Sequence, residues 1–299
     1  MSYRKIVQVG ASGNLGAPIF NVLVDSGRFE VTVLGRKSSS FVPPSPDVKF
    51  FGVDYSNHAE LVEALRGQDA IIMTQGNLSA AESVTKNVVN AAIEAGVKHI
   101  IPSLFGADIS RPPASEQDLF RTAMNILGFL KEKQNQISYT FIAVGNFFDM
   151  GLENASLGVD VRNKKVRIYE DGKPPFNTTT YDTIARAIIS VFSNPDKFIN
   201  RDLRVHDFYI NQWDLKAAVE AETGEKYDVE YADIEKMRDE SLANMAQGRV
   251  SMEHIMGLII YVIFSKRACA WGVEDDTELL QLPKKDLQEE VRKVLKSMQ

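Results

Sequence analysis

The stretch "VGASGNLGAPIF" (Val9–Phe20) sets Gly10, Gly13 and Gly16 at G-x-x-G-x-x-G spacing. The apolar run "RKIVQVG" leads into it, and "APIFNVLVDSG", with helical spacing, leads out and stops at Gly27. A glycine turn between an N-terminal strand and a helix suits a pyrophosphate. Gly10 allows the sharp turn, Gly13 lets the backbone approach the anion, and Gly16 lets the helix pack on the strand. The helix then offers its free N–H groups to the anion. Glycine spacing alone is weakly specific; its place between strand and helix makes it strong. Ser12, Asn14 and Leu15 share the loop and join the three glycines as expected dinucleotide contacts.

Outward from that loop the alternation continues. "FEVTVLG", "DVKFFGVD", "DAIIMTQG", "KHIIPSLFG" and "SYTFIAVGNFF" read as strands, apolar nearly throughout. "HAELVEALRG", "AAESVTKNVVNAAIEAG" and "DLFRTAMNILGFLKEK" read as helices between them. Strands without polar alternation are buried on both faces, so the expected fold is α/β, a Rossmann-type doubly wound parallel sheet with right-handed crossovers. The Ser/Pro-rich "KSSSFVPPSPD" is a surface loop rather than a linker. After about Asn154 the rhythm changes, to "KKVRIYEDGKPPF", "TTTYDTIARAIISVFSN", "NQWDLKAAVEAETG" and "YDVEYADIEKMRDESLANMAQG". Residues 1–154 are therefore expected to form the dinucleotide-binding domain. Residues 155–299 are expected to form a smaller α/β substrate lobe, some of whose elements return to the main sheet.

The 299 residues are 44% hydrophobic and 25% charged, an ordinary globular composition, and the net charge of -6 disfavours a nucleic-acid partner. One cysteine, Cys269, excludes an internal disulfide and fits a reducing compartment; its expected place is a small buried or half-buried site. "MSYRKIVQVG" lacks the pattern of a secretory leader, so none is expected, and the longest apolar run, "IMGLIIYVIF" (Ile255 to Phe264), is too short to span a bilayer. The expectation is a cytoplasmic protein, monomer or homodimer, with a small-molecule substrate and no membrane. The apolar run then serves core or pocket packing, or less plausibly a subunit interface.

The second strand ends "VLGRKSSS". An NAD enzyme places a carboxylate there for the ribose 2′-hydroxyl; Arg36 and Lys37 instead suit a 2′-phosphate, so NADP(H) is the expected cofactor. Ligands of this fold lie beyond the carboxyl ends of the strands. That puts Asp54 near the adenine amino group and Thr74, Gln75 and Gly76 beside the adenosine and pyrophosphate. Ser103, Val144, Asn146 and Phe148, at the ends of strands five and six, would flank the nicotinamide. Phe105, Phe147, Met150 and Leu152 form an expected apolar substrate wall suited to a flat molecule.

"VGASGNLG", the basic "GRK", "IPSLFGAD", "YTFIAVGNFFDMGL" and "PFNTTTYDTIARAI" together resemble the isoflavone reductase-like and NmrA-like group of atypical short-chain dehydrogenases, closest to its fungal isoflavone reductase-like members. The likeness runs from about Lys5 to Tyr231 and thins beyond. It implies NADPH binding and reduction of an organic, often aromatic, substrate, often in secondary metabolism. It also implies a catalytic lysine in a K-x-K run after strand five. "LFRTAMN" instead puts Arg121 and Ala123 at the two lysine positions. Arginine stays protonated and is a poor general acid, but it can polarise a carbonyl or anchor an anion. Arg121, with Asn125 one turn on, is the catalytic expectation.

"YEDGK" (Tyr169 to Lys173) mimics the Tyr-x-x-x-Lys spacing of ordinary short-chain dehydrogenases, but Gly172 and Pro174 make it a turn, not a helix. Asp149 and Tyr181 can reach the pocket, with a loop cap and a helix start as their plainer roles. The four histidines lack metal-ligand spacing, and no metal is expected. A reductase is the first functional reading. A dinucleotide-binding regulator of the NmrA type, or a redox-neutral isomerase or cyclase on the same fold, is the alternative.

Overall fold

The computed structural model describes residues 2–76, 80–266 and 270–298; Cys269 lies outside them. Strands β1 (Lys5–Val9), β2 (Glu30–Arg36), β3 (Lys49–Val53), β4 (Ala70–Met73), β5 (His99–Ile101), β6 (Ser138–Ala143) and β11 (Arg201–Arg204) form the main sheet. Its order is β11-β6-β5-β4-β1-β2-β3, and every pairing in it is parallel. The fold is the doubly wound α/β architecture that the apolar strands predict. The order reverses between β1 and β4, the switch point beyond which such sheets bind ligands.

β4 shows why the strands lack polar alternation. Ala70 and Ile72 face one helical layer while Ile71 and Met73 face the other, and all four are fully buried. Each large apolar side chain so buried stabilises the fold by roughly 1.5–3 kcal/mol. On one face lie α2 (His58–Leu65), α3 (Ala81–Ala95) and α4 (Arg121–Lys133). On the other, α1 (Gly16–Asp25) packs beside α6 (Tyr181–Ser193). The edge strand β11 reads RDLR and buries only Leu203 fully. Charges along such an edge discourage further strand pairing.

The sequence reading runs the sixth strand through Phe148, and here the structure differs. β6 stops at Ala143 and the chain turns at Gly145, whose φ is +63°. β7 (Asn146–Phe147) leaves the main sheet and pairs with β10 (Phe176–Thr179), which in turn pairs with β12 (Phe208–Ile210). α5 (Phe148–Glu153) follows at once. A third sheet joins β8 (Val159–Asp160), β9 (Lys165–Tyr169) and β13 (Asp228–Ala232). α7 (Gln212–Thr223), α8 (Ile234–Ala246), α9 (Met252–Phe264) and α10 (Leu287–Ser297) complete this half. Its core gathers α5, α7, α9 and α10 around Phe176, Phe208 and Phe264. Thr180 caps α6 by accepting the Thr183 N–H, and Asn211 with Asp214 forms a capping box on α7. No helix among the described residues is long and apolar enough to cross a membrane.

Candidate active site

Two cavities open at the carboxyl ends of the main strands. The first, about 280 Å³, lies over the switch point. Gly10, Ser12, Gly13, Arg36, Thr74, Gln75 and Gly76 line it, all foreseen, together with Gly35, Ser39 and Tyr55. A Cβ on Gly16 would sit 1.9 Å from the Gly10 carbonyl oxygen, so only glycine lets α1 start there. Gly10 itself has φ +85°, and a Cβ on it would meet the Gln75 nitrogen at 2.8 Å. Asn14 and Leu15 carry the loop into α1 without lining the cavity; Leu15 is the residue just before the helix.

Below the loop, the Gln8 carboxamide donates to the Gly16 carbonyl at 2.8 Å, and the Thr74 hydroxyl donates to the Val9 carbonyl at 2.8 Å. Both polar atoms of the Gln75 side chain are buried without a hydrogen-bond partner. An orphaned amide in a cavity wall costs free energy unless a ligand or water completes it. The residues therefore fit a dinucleotide: a glycine cradle, a helix N-terminus and an amide lacking a partner.

The two cations after β2 have different fates. Lys37 is tied to Glu60 at 2.7 Å and does not line the cavity. Arg36 does line it and has no ion pair among the described residues. Asp54 stands outside: its carboxylate accepts the Ser56 N–H and hydroxyl at 2.8 and 2.7 Å, which lower its pKa. Tyr55 takes the wall position instead, its hydroxyl bonded to the Leu34 carbonyl at 3.1 Å. Burial pushes that phenol up to about 12, so it stays protonated. The sequence offered no cue for Tyr55 beyond its place after β3.

The second cavity, about 310 Å³, lies at the ends of β5 and β6. Phe105, Phe147 and Met150 line it as expected, with Asn146, which the sequence reading gave to the cofactor. α9 supplies Met256, Ile259, Val262 and Ile263, so the apolar run of the sequence serves as pocket wall as well as core. Phe120, Phe176, Asn177 and Trp271 were not foreseen. Among the described residues no acid, base or thiol lines this cavity.

Three expected contacts are corrected. Val144, Phe148 and Leu152 are 0%, 0% and 1% exposed and line neither cavity. Val144 packs in the core beneath the sheet, and the Phe148 ring lies 5.2 Å from that of Phe208. The cause is α5. A helix turns about 100° per residue, so Phe148, Gly151 and Leu152 share the core face while Met150 points to the cavity. Ser103 holds the scaffold: its hydroxyl donates to the Gln75 carbonyl at 2.9 Å.

The catalytic expectation also shifts. Arg121 is exposed and paired with Asp118, and Asn125 donates to Glu82 at 3.1 Å on the outer face of α3. Neither lines the cavity; Phe120, one residue earlier, does. The Tyr169–Lys173 spacing is a turn, with Tyr169 stacked on Phe264 and Lys173 beside Asp171. Asp149 accepts the Tyr181 N–H at 2.8 Å, and burial raises its pKa. The Tyr181 ring lies 5.9 Å from that of Phe147, behind the cavity wall, and burial and then Asp149 raise its pKa. Among the described residues no group of acids, histidines or cysteines could hold a metal.

The sequence profile of the NmrA-like family matches residues 2–262. The chain belongs to the NmrA-like family. This NmrA-like protein is 31% identical over 303 residues to oxidoreductase aprR of Aspergillus flavus, covering 98% of this chain and 99% of that one. It thereby falls among the family's oxidoreductases. Its fold superposes on that of an isoflavone reductase with TM-score 0.77 at 20% identity, covering 98% and 99% of the two chains. A structure of AtPrR2 with NADP+ and (+)-pinoresinol gives TM-score 0.76 at 23% identity, again over 98% and 99%.

Proposed function

We propose that this protein is an NADPH-dependent reductase of a flat aromatic or polyketide-like small molecule in secondary metabolism. The observation that carries the reading is the pairing of a glycine-cradled cleft, with Arg36 at its rim and without an ion pair among the described residues, and an aromatic cavity at the same edge of the sheet. NADPH bound in the cleft would supply a hydride. The chain's own part is to bind and to orient. The loop N–H groups and the α1 N-terminus take the pyrophosphate. Arg36 grips the 2′-phosphate with charge-assisted bonds, and Ser39 stands beside it in the wall. The Gln75 amide meets the dinucleotide with the donor and acceptor it lacks a use for in the protein. On this reading residues 1–154 hold the dinucleotide, and the later residues supply the far wall of the substrate cavity.

The cavity walls exclude water and stack on the acceptor. With no titratable wall side chain among the described residues, the balancing proton comes from water or from the substrate itself. The same observation favours a second reading, dinucleotide binding without hydride transfer, as in a regulator or a redox-neutral isomerase. One experiment separates them. NADPH consumption is followed at saturating cofactor against a panel of quinones, enones and aromatic ketones. Substrate-dependent oxidation supports the reductase. Equal affinity for NADP+ and NADPH with no turnover on any acceptor would leave the second reading standing.

A further inference from the structure

The second cavity is closed on one side by a short strap, residues 270–272, which follows α9 in the chain. Trp271 is 5% exposed and puts its indole into the cavity wall. Two residues from distant parts of the chain grip this strap. The Trp271 backbone N–H donates to Asn177 Oδ1 at 2.9 Å. Asn177 Nδ2 donates to the Gly272 carbonyl at 2.8 Å. The two bonds together fix both polar ends of one carboxamide on one peptide segment. Asn177 in turn is anchored from below. It sits in β10, and a Cβ on Gly145 would lie 2.2 Å from the Asn177 carbonyl oxygen, so the turn after β6 closes directly against it.

On the indole side, Trp271 Nε1 lies 3.2 Å from His206 Nδ1, which is also 2.9 Å from an Asp275 carboxylate oxygen. One ring nitrogen cannot serve both. Protonated, Nδ1 donates to Asp275; bare, it accepts the indole N–H. The Asn177 grip does not depend on that choice and is the stronger of the two.

We propose that Trp271 is the specificity-determining wall of the substrate cavity and that Asn177 is the residue that positions it. The two backbone bonds hold the strap, and the buried packing of Trp271 holds its ring, so a thick or branched acceptor meets a fixed wall. The site therefore selects flat conjugated molecules that stack between Trp271 and the phenylalanine walls. The inference rests on the second cavity being the substrate site. The strap comes from the end of the chain and Asn177 from its middle, and neither belongs to the glycine loop.

The protein holds two tryptophans, Trp213 and Trp271, so Trp213→Phe leaves Trp271 as the lone indole. Trp213 lies on α7, bonded to the Asp171 carbonyl, away from both cavities. In that background, without cofactor, 7-hydroxycoumarin serves as a flat probe that accepts energy from an indole. The expected result is blue-shifted Trp271 emission that falls saturably as the probe binds. Asn177→Ala should shift the emission to the red and weaken the probe about tenfold, the scale of losing two net hydrogen bonds. Asn177→Asp keeps the acceptor for the Trp271 N–H but sets a buried carboxylate against the Gly272 carbonyl, and should weaken the probe at least as much as Asn177→Ala. Trp271→Ala, in the otherwise natural chain, should let branched acceptors compete with flat ones in probe displacement.

Thermal melts show whether each variant is folded. If Asn177→Ala unfolds, Asn177→Asp and Trp271→Ala decide. Wild-type emission and probe affinity in a folded Asn177 variant, or unchanged selectivity in Trp271→Ala, would overturn the proposal. Probe binding that responds to these variants, with no NADPH consumption on any acceptor of the panel, would instead sink the reductase reading and leave the wall assignment in place.

Discussion

The dinucleotide cleft and the aromatic cavity stand at the same edge of one sheet but are built in opposite ways. The cleft takes most of its wall from short loops that follow β1, β2, β3 and β4, each written beside its strand. The cavity draws on the loops after β5 and β6, on β10, on α9 and on the strap at Trp271. The first is the more polar of the two, with glycines, Arg36 and an amide unpartnered among the described residues; the second is apolar and closed by tertiary contacts. Anion binding needs backbone N–H groups, which local sequence can place. Shape selection needs side chains from several directions, which only packing can place.

The largest effect that would test this contrast is on the loop. Gly16→Val drives side-chain carbons into the Gly10 carbonyl and should cost at least a hundredfold in NADPH affinity, on the order of 3 kcal/mol. Fluorescence titration of bound NADPH, beside a thermal melt, reads both binding and fold. Next, Arg36→Glu should weaken NADPH by roughly tenfold to a hundredfold through loss of charge-assisted bonds, and NADH far less. Equal loss for both cofactors would remove Arg36 from the 2′-phosphate.

The opposite end of the sheet, where β5 begins, gives an acid test. His99 is fully buried between the Ser138 and Thr140 hydroxyls, at 2.7 and 2.9 Å, and burial lowers its pKa to about 3. The unfolded chain takes a proton on this group near pH 6.5, the folded chain only near 3. Its contribution is therefore complete above about pH 6.5 and is lost as pH falls toward 3, with a slope of at most about 1.4 kcal/mol per pH unit. Denaturant melts at stepped pH should show this slope, and His99→Gln should flatten it. The smallest effect is expected at Arg121. With its side chain 67% exposed and paired, among the described residues, only with Asp118, Arg121→Ala should change kcat/KM less than about twofold. A large drop would return α4 to the reaction.

The misread residues share a cause. Val144, Phe148 and Leu152 were placed by chain neighbourhood, yet the turn at Gly145 and the start of α5 rotate them into the core. Arg121 takes its expected place from the match to a lysine run and Asn125 from helical spacing one turn on, yet the helix points Phe120 inward and those two outward. Lys37 and Asp54 had the right position and the wrong freedom, since Glu60 and Ser56 already hold them. Asn177 and Trp271 are 94 residues apart and carried no local signal.

By itself the sequence determined the parallel sheet, its winding and the glycine turn between β1 and α1. Those follow from apolar strands buried on both faces and from Gly10 and Gly16, where a side chain does not fit, and both properties are local. The tertiary structure alone decided which cation lines the cleft, which aromatic rings face the cavity and which strap closes it. Each of those depends on a partner far along the chain, and a side chain's direction is fixed by what it packs against rather than by what precedes it.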